Sequence, residues 1–201
     1  MYVVCLDLET TLVPEFWIEI ARATGIEELR RTTRDEPDYD LLMRQRIKTL
    51  REHGIGMDRI ESIVAGVEPL PGAKDFLDAL RAETQVILLS DTFRQFAHPM
   101  MEKLGWPTIF YNELSVDADG FIDGYHMRVD HMKLASVHAL QSIGFDTMAV
   151  GDSFNDVEMI RASAHGWLIH GSQAVVAANP DIAHFDDYPS LLAAIERQLG
   201  A

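Results

Sequence analysis

Apolar residues run almost unbroken from 2 to 8 and end in Asp7-Leu8-Glu9-Thr10-Thr11, the pattern of a strand buried on both faces of a parallel sheet. From 14 to about 67 the period turns helical: Phe16-Trp17-Ile20-Ala21, Leu41-Leu42-Ile47-Leu50 and Ile60-Ile63-Val64, with breaks at Gly25, Pro37 and Gly54-Ile55-Gly56. Pro69-Leu70-Pro71-Gly72 closes this insertion, and 73–83 reads as a helix with Phe76, Leu77 and Leu80 on one face. Gln85-Val86-Ile87-Leu88-Leu89 predicts a second buried strand that ends at Ser90-Asp91-Thr92. A helix over 93–104 and a short extended stretch at 108–111 follow. Residues 113–129 alternate and contain Asp119-Gly120 and Asp123-Gly124, which predicts a β-hairpin. A helix over 133–143 leads to a third buried strand, 147–150, which runs into Gly151-Asp152-Ser153-Phe154-Asn155-Asp156. A strand at 166–169 and a helix near 191–199 complete the pattern, and no internal repeat is visible.

The alternation predicts an α/β protein: a parallel sheet with helices on both faces, a helical insertion after the first strand and a small hairpin. In open sheets of this kind, ligands bind beyond the carboxyl ends of the strands, where strand order reverses. Three strands here end in polar clusters: Asp7 and Glu9, then Ser90 and Asp91, then Asp152, Asn155 and Asp156. Topology would bring them into one crevice.

Composition narrows what that crevice can bind. The chain has 201 residues, enough for one substantial core and an accessory cap. Its 32 acidic against 17 basic residues give a formal charge of -15, which repels nucleic acid and anionic membranes; neither is expected as a partner. A phosphate site must then be made locally positive by backbone N–H groups, a metal ion and a few placed cations. The one cysteine, Cys5, lies in the first apolar run and is expected to be a buried, inert thiol. The first residues lack a basic n-region and no apolar run reaches membrane-spanning length, so the cytoplasm is the expected compartment.

Taken singly, each cluster has an ordinary reading: Asp-x-Glu arises by chance, Ser-Asp-Thr caps helices, and Gly-Asp-Ser forms turns. All three in this order, each ending an apolar strand and with Lys133 between the second and third, resemble the haloacid dehalogenase-like hydrolases over the whole chain. Within them, Asp7-Leu8-Glu9, Leu12-Val13-Pro14-Glu15, Ser90-Asp91-Thr92-Phe93 and Gly151-Asp152-Ser153-Phe154-Asn155-Asp156 are similar to the phosphoserine phosphatase group. The nearest resemblance is to its bifunctional phosphoserine phosphatase/homoserine phosphotransferase subgroup. The resemblance implies a Rossmann-like core at 1–13 and 70–201, a helical cap at 14–69, a small amino-acid phosphate as substrate and a homodimer.

The chemistry suits these residue types. A phosphate monoester dianion resists attack, so the reaction is split through a covalent aspartyl phosphate with Asp7 as nucleophile. Glu9 is placed to protonate the leaving alkoxide and then deprotonate water, because residues two apart on an extended segment point the same way. Magnesium prefers oxygen ligands, which Asp7, the Glu9 carbonyl and Asp152 would supply, with Thr11 and Asp156 in support. Lys133 and the metal offset the gathered negative charge, while Ser90, Asp91 and Asn155 line the place of the phosphate. Glu15 and Arg46 resemble the pair that binds the ammonium and carboxylate of phosphoserine, although a helix-terminal acid and a solvated arginine would look the same.

Glu9 stands where the superfamily's phosphatases usually carry Asp, and its longer reach is expected to let an alcohol compete with water for the aspartyl phosphate. The stretch 117–123 faintly resembles a calcium loop but lacks its ligand spacing, so a hairpin turn is expected. The scattered histidines give no zinc pattern, and Trp17 and Met100-Met101 read as packing residues. Two rival functions share parts of this pattern: a phosphorylation-switched receiver domain, and a silent phosphate-binding protein of the same fold. Receivers lack a helical cap after the first strand, and turnover of any phosphate ester excludes the silent protein.

Overall fold

A computed structural model of the protein describes residues 1–33, 35–36 and 38–200; the helix break expected at Pro37 lies outside the described residues. Seven strands among these form one sheet in the order β4-β3-β2-β1-β5-β6-β7. They are β1 (Tyr2–Leu6), β2 (Gln85–Phe93), β3 (Thr108–Val116), β4 (Ile122–His126), β5 (Asp146–Gly151), β6 (His165–Ile169) and β7 (Ala183–Phe185). All neighbours pair in parallel except β3 and β4, which form the expected hairpin. Strand order runs outward from β1 through β2 to β3 and then resumes on the other side with β5. The crevice of such a sheet therefore opens at the carboxyl ends of β1 and β5.

The side-chain period of two divides the strands between two cores. Val4, Leu6, Met148 and Val150 face one side and pack with α4 (Ala73–Glu83), α5 (Arg94–Lys103), α9 (Tyr188–Leu199) and the cap. Cys5, Leu89, Ala149 and Leu168 face the other, against α6 (Met132–Ser142), α7 (Val157–Ala162) and α8 (Gln173–Ala178). Each fully buried Val or Leu here contributes about 1.5–3 kcal/mol, which is why the strands read as continuous apolar runs. The Cys5 thiol is fully buried, and burial pushes its pKa up to about 12, so it is an inert packing group.

Between β1 and α4 the chain makes α1 (Phe16–Thr24), α2 (Tyr39–Glu52) and α3 (Met57–Ala65), the helical cap. Gly25, in the left-handed conformation, stops α1, and the Asp38 carboxylate caps α2 by accepting from the Leu41 N–H. The β3–β4 hairpin straps this cap to the sheet. Arg51 pairs with Asp117, Tyr125 bonds Asp40, and the Met57 N–H donates to the Gly120 carbonyl at 2.8 Å. Asp117 Oδ1 accepts from the Asp119 and Phe121 N–H groups, so it closes its own hairpin turn.

Several elements differ from expectation. The second strand continues through Ser90, Asp91 and Thr92 to Phe93, with a register shift against β3 between Leu89 and Phe93 that turns the ladder toward the crevice. The short extended stretch at 108–111 is the first half of a nine-residue strand that serves both β2 and β4. Helices α7 and α8 and strand β7 have no counterpart in the sequence reading. Among the described residues no helix is long and apolar enough to cross a membrane.

Candidate active site

Asp7 directly follows β1, and its N–H donates to the Val150 carbonyl of β5 at 2.9 Å, which fixes it at the switch point of the sheet. Asp152 directly follows β5, and Asp156 ends the short 3-10 turn after it. The carboxylates of Asp7, Asp152 and Asp156 each place an oxygen within 4.8 Å of the others, and all three residues are buried. Lys133, in the first turn of α6, reaches into this cluster. Its Nζ donates to Asp7 Oδ1 at 2.8 Å and Asp156 Oδ1 at 2.6 Å, and lies 3.8 Å from Asp91 Oδ2. A cation in the first turn of a helix opposes the helix dipole, so its partners, not its helix, account for its place. Burial works against the Lys133 ammonium, but Asp156, Asp7 and Asp91 more than offset this and hold its pKa well above the usual lysine range. Asp7 is pushed well up, by burial first and by Asp156 and Asp152, with Lys133 pulling the other way.

Asp156 is fully committed. Beyond Lys133, its Oδ2 accepts from the Asp152 N–H at 3.1 Å, the Ser153 N–H at 2.9 Å and the Ser153 hydroxyl at 2.8 Å. A carboxylate has about four lone-pair sites, so Asp156 serves as a bracket for Lys133 and the turn. Gly151 is required by this bracket, since a Cβ there would fall 2.2 Å from Asp156 Cγ. Gly151→Ala is expected to displace Asp156, to cost about 1–3 kcal/mol of stability and to remove most of any activity that needs Lys133 in place. Thermal unfolding beside an assay would check this; a variant with both properties of the wild type would contradict it.

Three buried carboxylates gather here, two of them bonded to Lys133, and the oxygen-rich set suits a hard divalent cation. Asp7, Asp152 and Asp156 are the residues whose carboxylates could hold one.

Asp7 and Glu9 both line a cleft of about 270 Å³, while Leu8 between them is buried in the core; the two-residue period survives past the end of β1. Glu9 Oε1 accepts from the Phe16 N–H at 2.8 Å, the open N-terminus of α1. Burial pushes Glu9 up to about 7, against the Phe16 N–H. Ser90 and Asp91 come from the irregular end of β2, and Asn155 from the exposed 3-10 turn; all three line the same cleft. Ser90 Oγ accepts from the Thr92 N–H at 3.3 Å.

Glu15 and Arg46 line the cap side of the cleft. Arg46 is buried rather than solvated: its guanidinium lies 4.4 Å from the Trp17 ring centroid, and Nη2 donates to the Arg31 carbonyl at 2.6 Å. Its Nε is buried without a hydrogen-bond partner, and burial lowers its pKa against the pull of Tyr39, Glu15 and Glu9. A buried guanidinium facing a cleft is a ready partner for a carboxylate. Thr10 adopts a left-handed backbone (φ 57°), which reverses the chain, so Thr11 is buried and does not line the cleft. Its hydroxyl has no hydrogen-bond partner.

The sequence reading missed Tyr39, whose ring lines the cleft and packs edge-on to Tyr125. It also missed Thr92, which lines the cleft and favours the Glu9 charge, and Phe154 at the cleft mouth, 54% exposed. A large exposed phenyl inside a polar motif was the signal available for Phe154. Trp17 is a packing residue, as expected, and also the platform under Arg46.

An open α/β sheet with a strand-end Asp bonded to a buried lysine, a second acid two residues on and a helical cap above defines a hydrolase-type active site. A sequence profile of the haloacid dehalogenase-like hydrolases matches residues 5–163, and the chain belongs to that family. It is 42% identical over 191 residues to phosphoserine phosphatase ThrH of Pseudomonas aeruginosa, covering 95% of this chain and 93% of that protein. It is 44% identical over 178 residues to a phosphoserine phosphatase of Pseudomonas syringae pv. tomato, covering 89% of this chain and 75% of the relative. Its fold is similar, at a TM-score of 0.79 and 21% identity, to a solved phosphoserine phosphatase holding an analogue of its phospho-aspartyl intermediate; 96% of this chain and 97% of that one align.

Proposed function

We propose that the protein is a magnesium-dependent phosphoserine phosphatase, with core 1–13 and 70–201 and cap 14–69, that also passes phosphate to homoserine. The observation that carries this reading is the Asp7–Lys133–Asp156 array at the sheet's switch point with Glu9 on the same cleft wall. The names of the two Pseudomonas relatives support the substrate.

An Asp7 carboxylate oxygen attacks phosphorus, the ester P–O bond breaks, and the departing serine alkoxide takes the proton of Glu9. Burial helps Glu9 to hold that proton before the step. Water then adds to the aspartyl phosphate and gives its proton to the Glu9 carboxylate, so that phosphate leaves and Asp7 is regenerated. Lys133 stays bonded to Asp7 and neutralises charge as it passes to the phosphoryl oxygens. Ser90 offers its hydroxyl to the same oxygens, and Asp91, itself an anion, can contribute only through its backbone. Asp7, the Glu9 carbonyl and Asp152 would hold magnesium, which when bound balances the surplus of carboxylates and polarises the phosphate. Arg46 takes the substrate carboxylate and Glu15 its ammonium. All of these groups come from one chain, so a homodimer is not required to complete the site.

The test is phosphate release from L-phosphoserine with magnesium, with and without homoserine. Expected results are release that stops with a chelator and returns with magnesium, and phosphohomoserine when homoserine is present. No release from phosphoserine would overturn the substrate, and release without phosphohomoserine would overturn the transfer.

A further inference from the structure

Both peptide connections between core and cap pass the ring of one tyrosine that lies outside the cleft. Tyr188, the first residue of α9, is buried, and its hydroxyl donates to the Thr11 carbonyl of the outgoing connection at 2.8 Å. Its ring stacks on Phe76 of α4, with centroids 5.0 Å apart and planes at 22°. At the end of the return connection Gly72 comes so near that a Cβ there would sit 3.4 Å from Tyr188 Cδ2. The Leu70 N–H donates to the Leu12 carbonyl at 2.9 Å and ties the two connections together at the same place.

His170, just past β6, stands with its ring 5.2 Å from that of Tyr188 at 81°, and its Nδ1 lies 3.3 Å from the Thr10 carbonyl. A carbonyl only accepts, so Nδ1 carries the proton in this contact. Two successive carbonyls, Thr10 and Thr11, are thus held from behind by side chains from the far half of the sheet. The segment they hold is unusual. Thr10 is β-branched yet has φ 57°, a conformation that persists only where surroundings enforce it. Its N–H donates to the Val13 carbonyl at 2.6 Å and its hydroxyl to the Glu9 carbonyl at 2.7 Å, so the same turn carries Glu9.

We propose that Tyr188 and His170 are positioning residues that fix the Glu9 turn. The inference rests on the reading of Glu9 as the group that handles the proton. If the Tyr188 hydroxyl is removed, the buried Thr11 carbonyl loses its donor, the turn relaxes, and Glu9 shifts relative to Asp7 while Arg46 and Glu15 keep their places.

The experiment compares Tyr188→Phe, which keeps the ring and its stacking, with the wild type, in both the native and the Glu9→Gln background. Expected is a kcat on phosphoserine lower by roughly 10- to 100-fold, with KM changed by less than about twofold, since substrate-holding groups stay put. In the Glu9→Gln background the same change should have almost no effect, because the residue acts through Glu9. An equal loss in both backgrounds, or no loss in the native one, overturns the proposal. His170→Asn, which tolerates the left-handed backbone, should show the same dependence on Glu9. If the wild type turns over neither phosphoserine nor p-nitrophenyl phosphate, the functional reading has failed, and amide hydrogen exchange then reads the clamp alone. Faster exchange at 10–13 in Tyr188→Phe supports the clamp, and unchanged exchange overturns it.

Discussion

Asp7→Asn removes phosphate release from phosphoserine, lowering kcat by roughly four to six powers of ten, as loss of a covalent nucleophile does. The fold survives. In the native protein burial and the neighbouring Asp156 and Asp152 carboxylates disfavour the Asp7 charge, and Lys133 only partly compensates. A neutral amide relieves that repulsion while Lys133 keeps its bond to Asp156. With a chelator present, the melting temperature of Asp7→Asn is therefore expected to equal or exceed that of the wild type, a trade of stability for function. Thermal unfolding and a phosphate assay on the same preparation check both halves. A variant that kept a tenth of the activity would place the nucleophile elsewhere.

Lys133→Met should lose both activity and stability. It strips the only side-chain cation seen to bond Asp7 and Asp156 among the described residues, and leaves the saturated Asp156 carboxylate buried beside two more. Breaking one side of a buried ion pair costs about 3–5 kcal/mol. At about 2–4 °C per kcal/mol for a chain of this size, melting should fall by roughly 6–20 °C. Catalysis should fall by at least about 100-fold through loss of charge stabilisation. The double variant Lys133→Met/Asp156→Asn should be less destabilised than the sum of its singles, because the second change removes the charge that the first orphaned. Strict additivity would mean that the ion pair does not account for the place of Lys133.

How much of this was legible in the sequence depended on how local the cause was. Strands β1, β2 and β5 announced themselves because a strand buried on both faces has to be apolar at every position, as in Val3-Val4-Cys5-Leu6. Asp7, Glu9 and Asp152 stood out as candidates because charges at the ends of such strands have no packing role, and Lys133, at the start of a helix, through the resemblance alone. Helices α7 and α8, six residues each, were missed; two turns are too few for a period to stand out. The continuation of β2 through Ser90-Asp91-Thr92 was hidden because polar residues at a register shift read locally as a helix cap. The surroundings of Thr11 could not be read locally: its neighbour Thr10 has a left-handed backbone, and the His170 and Tyr188 contacts to Thr10 and Thr11 come from more than 150 residues away in the chain. Arg46 could be named from its resemblance, but its burial over Trp17 depends on how α2 packs on α1, which no local pattern encodes.

The central claim is a covalent phosphate on Asp7, and the most direct test is to trap it. The enzyme is mixed with magnesium and phosphoserine labelled with phosphorus-32, quenched in acid within milliseconds, and the labelled peptide is mapped. The account predicts label on the peptide carrying Asp7, labile to hydroxylamine as an acyl phosphate is, and absent from Asp7→Asn. Steady turnover with no trapped label, or label on another residue such as Asp91 or Asp152, would contradict it.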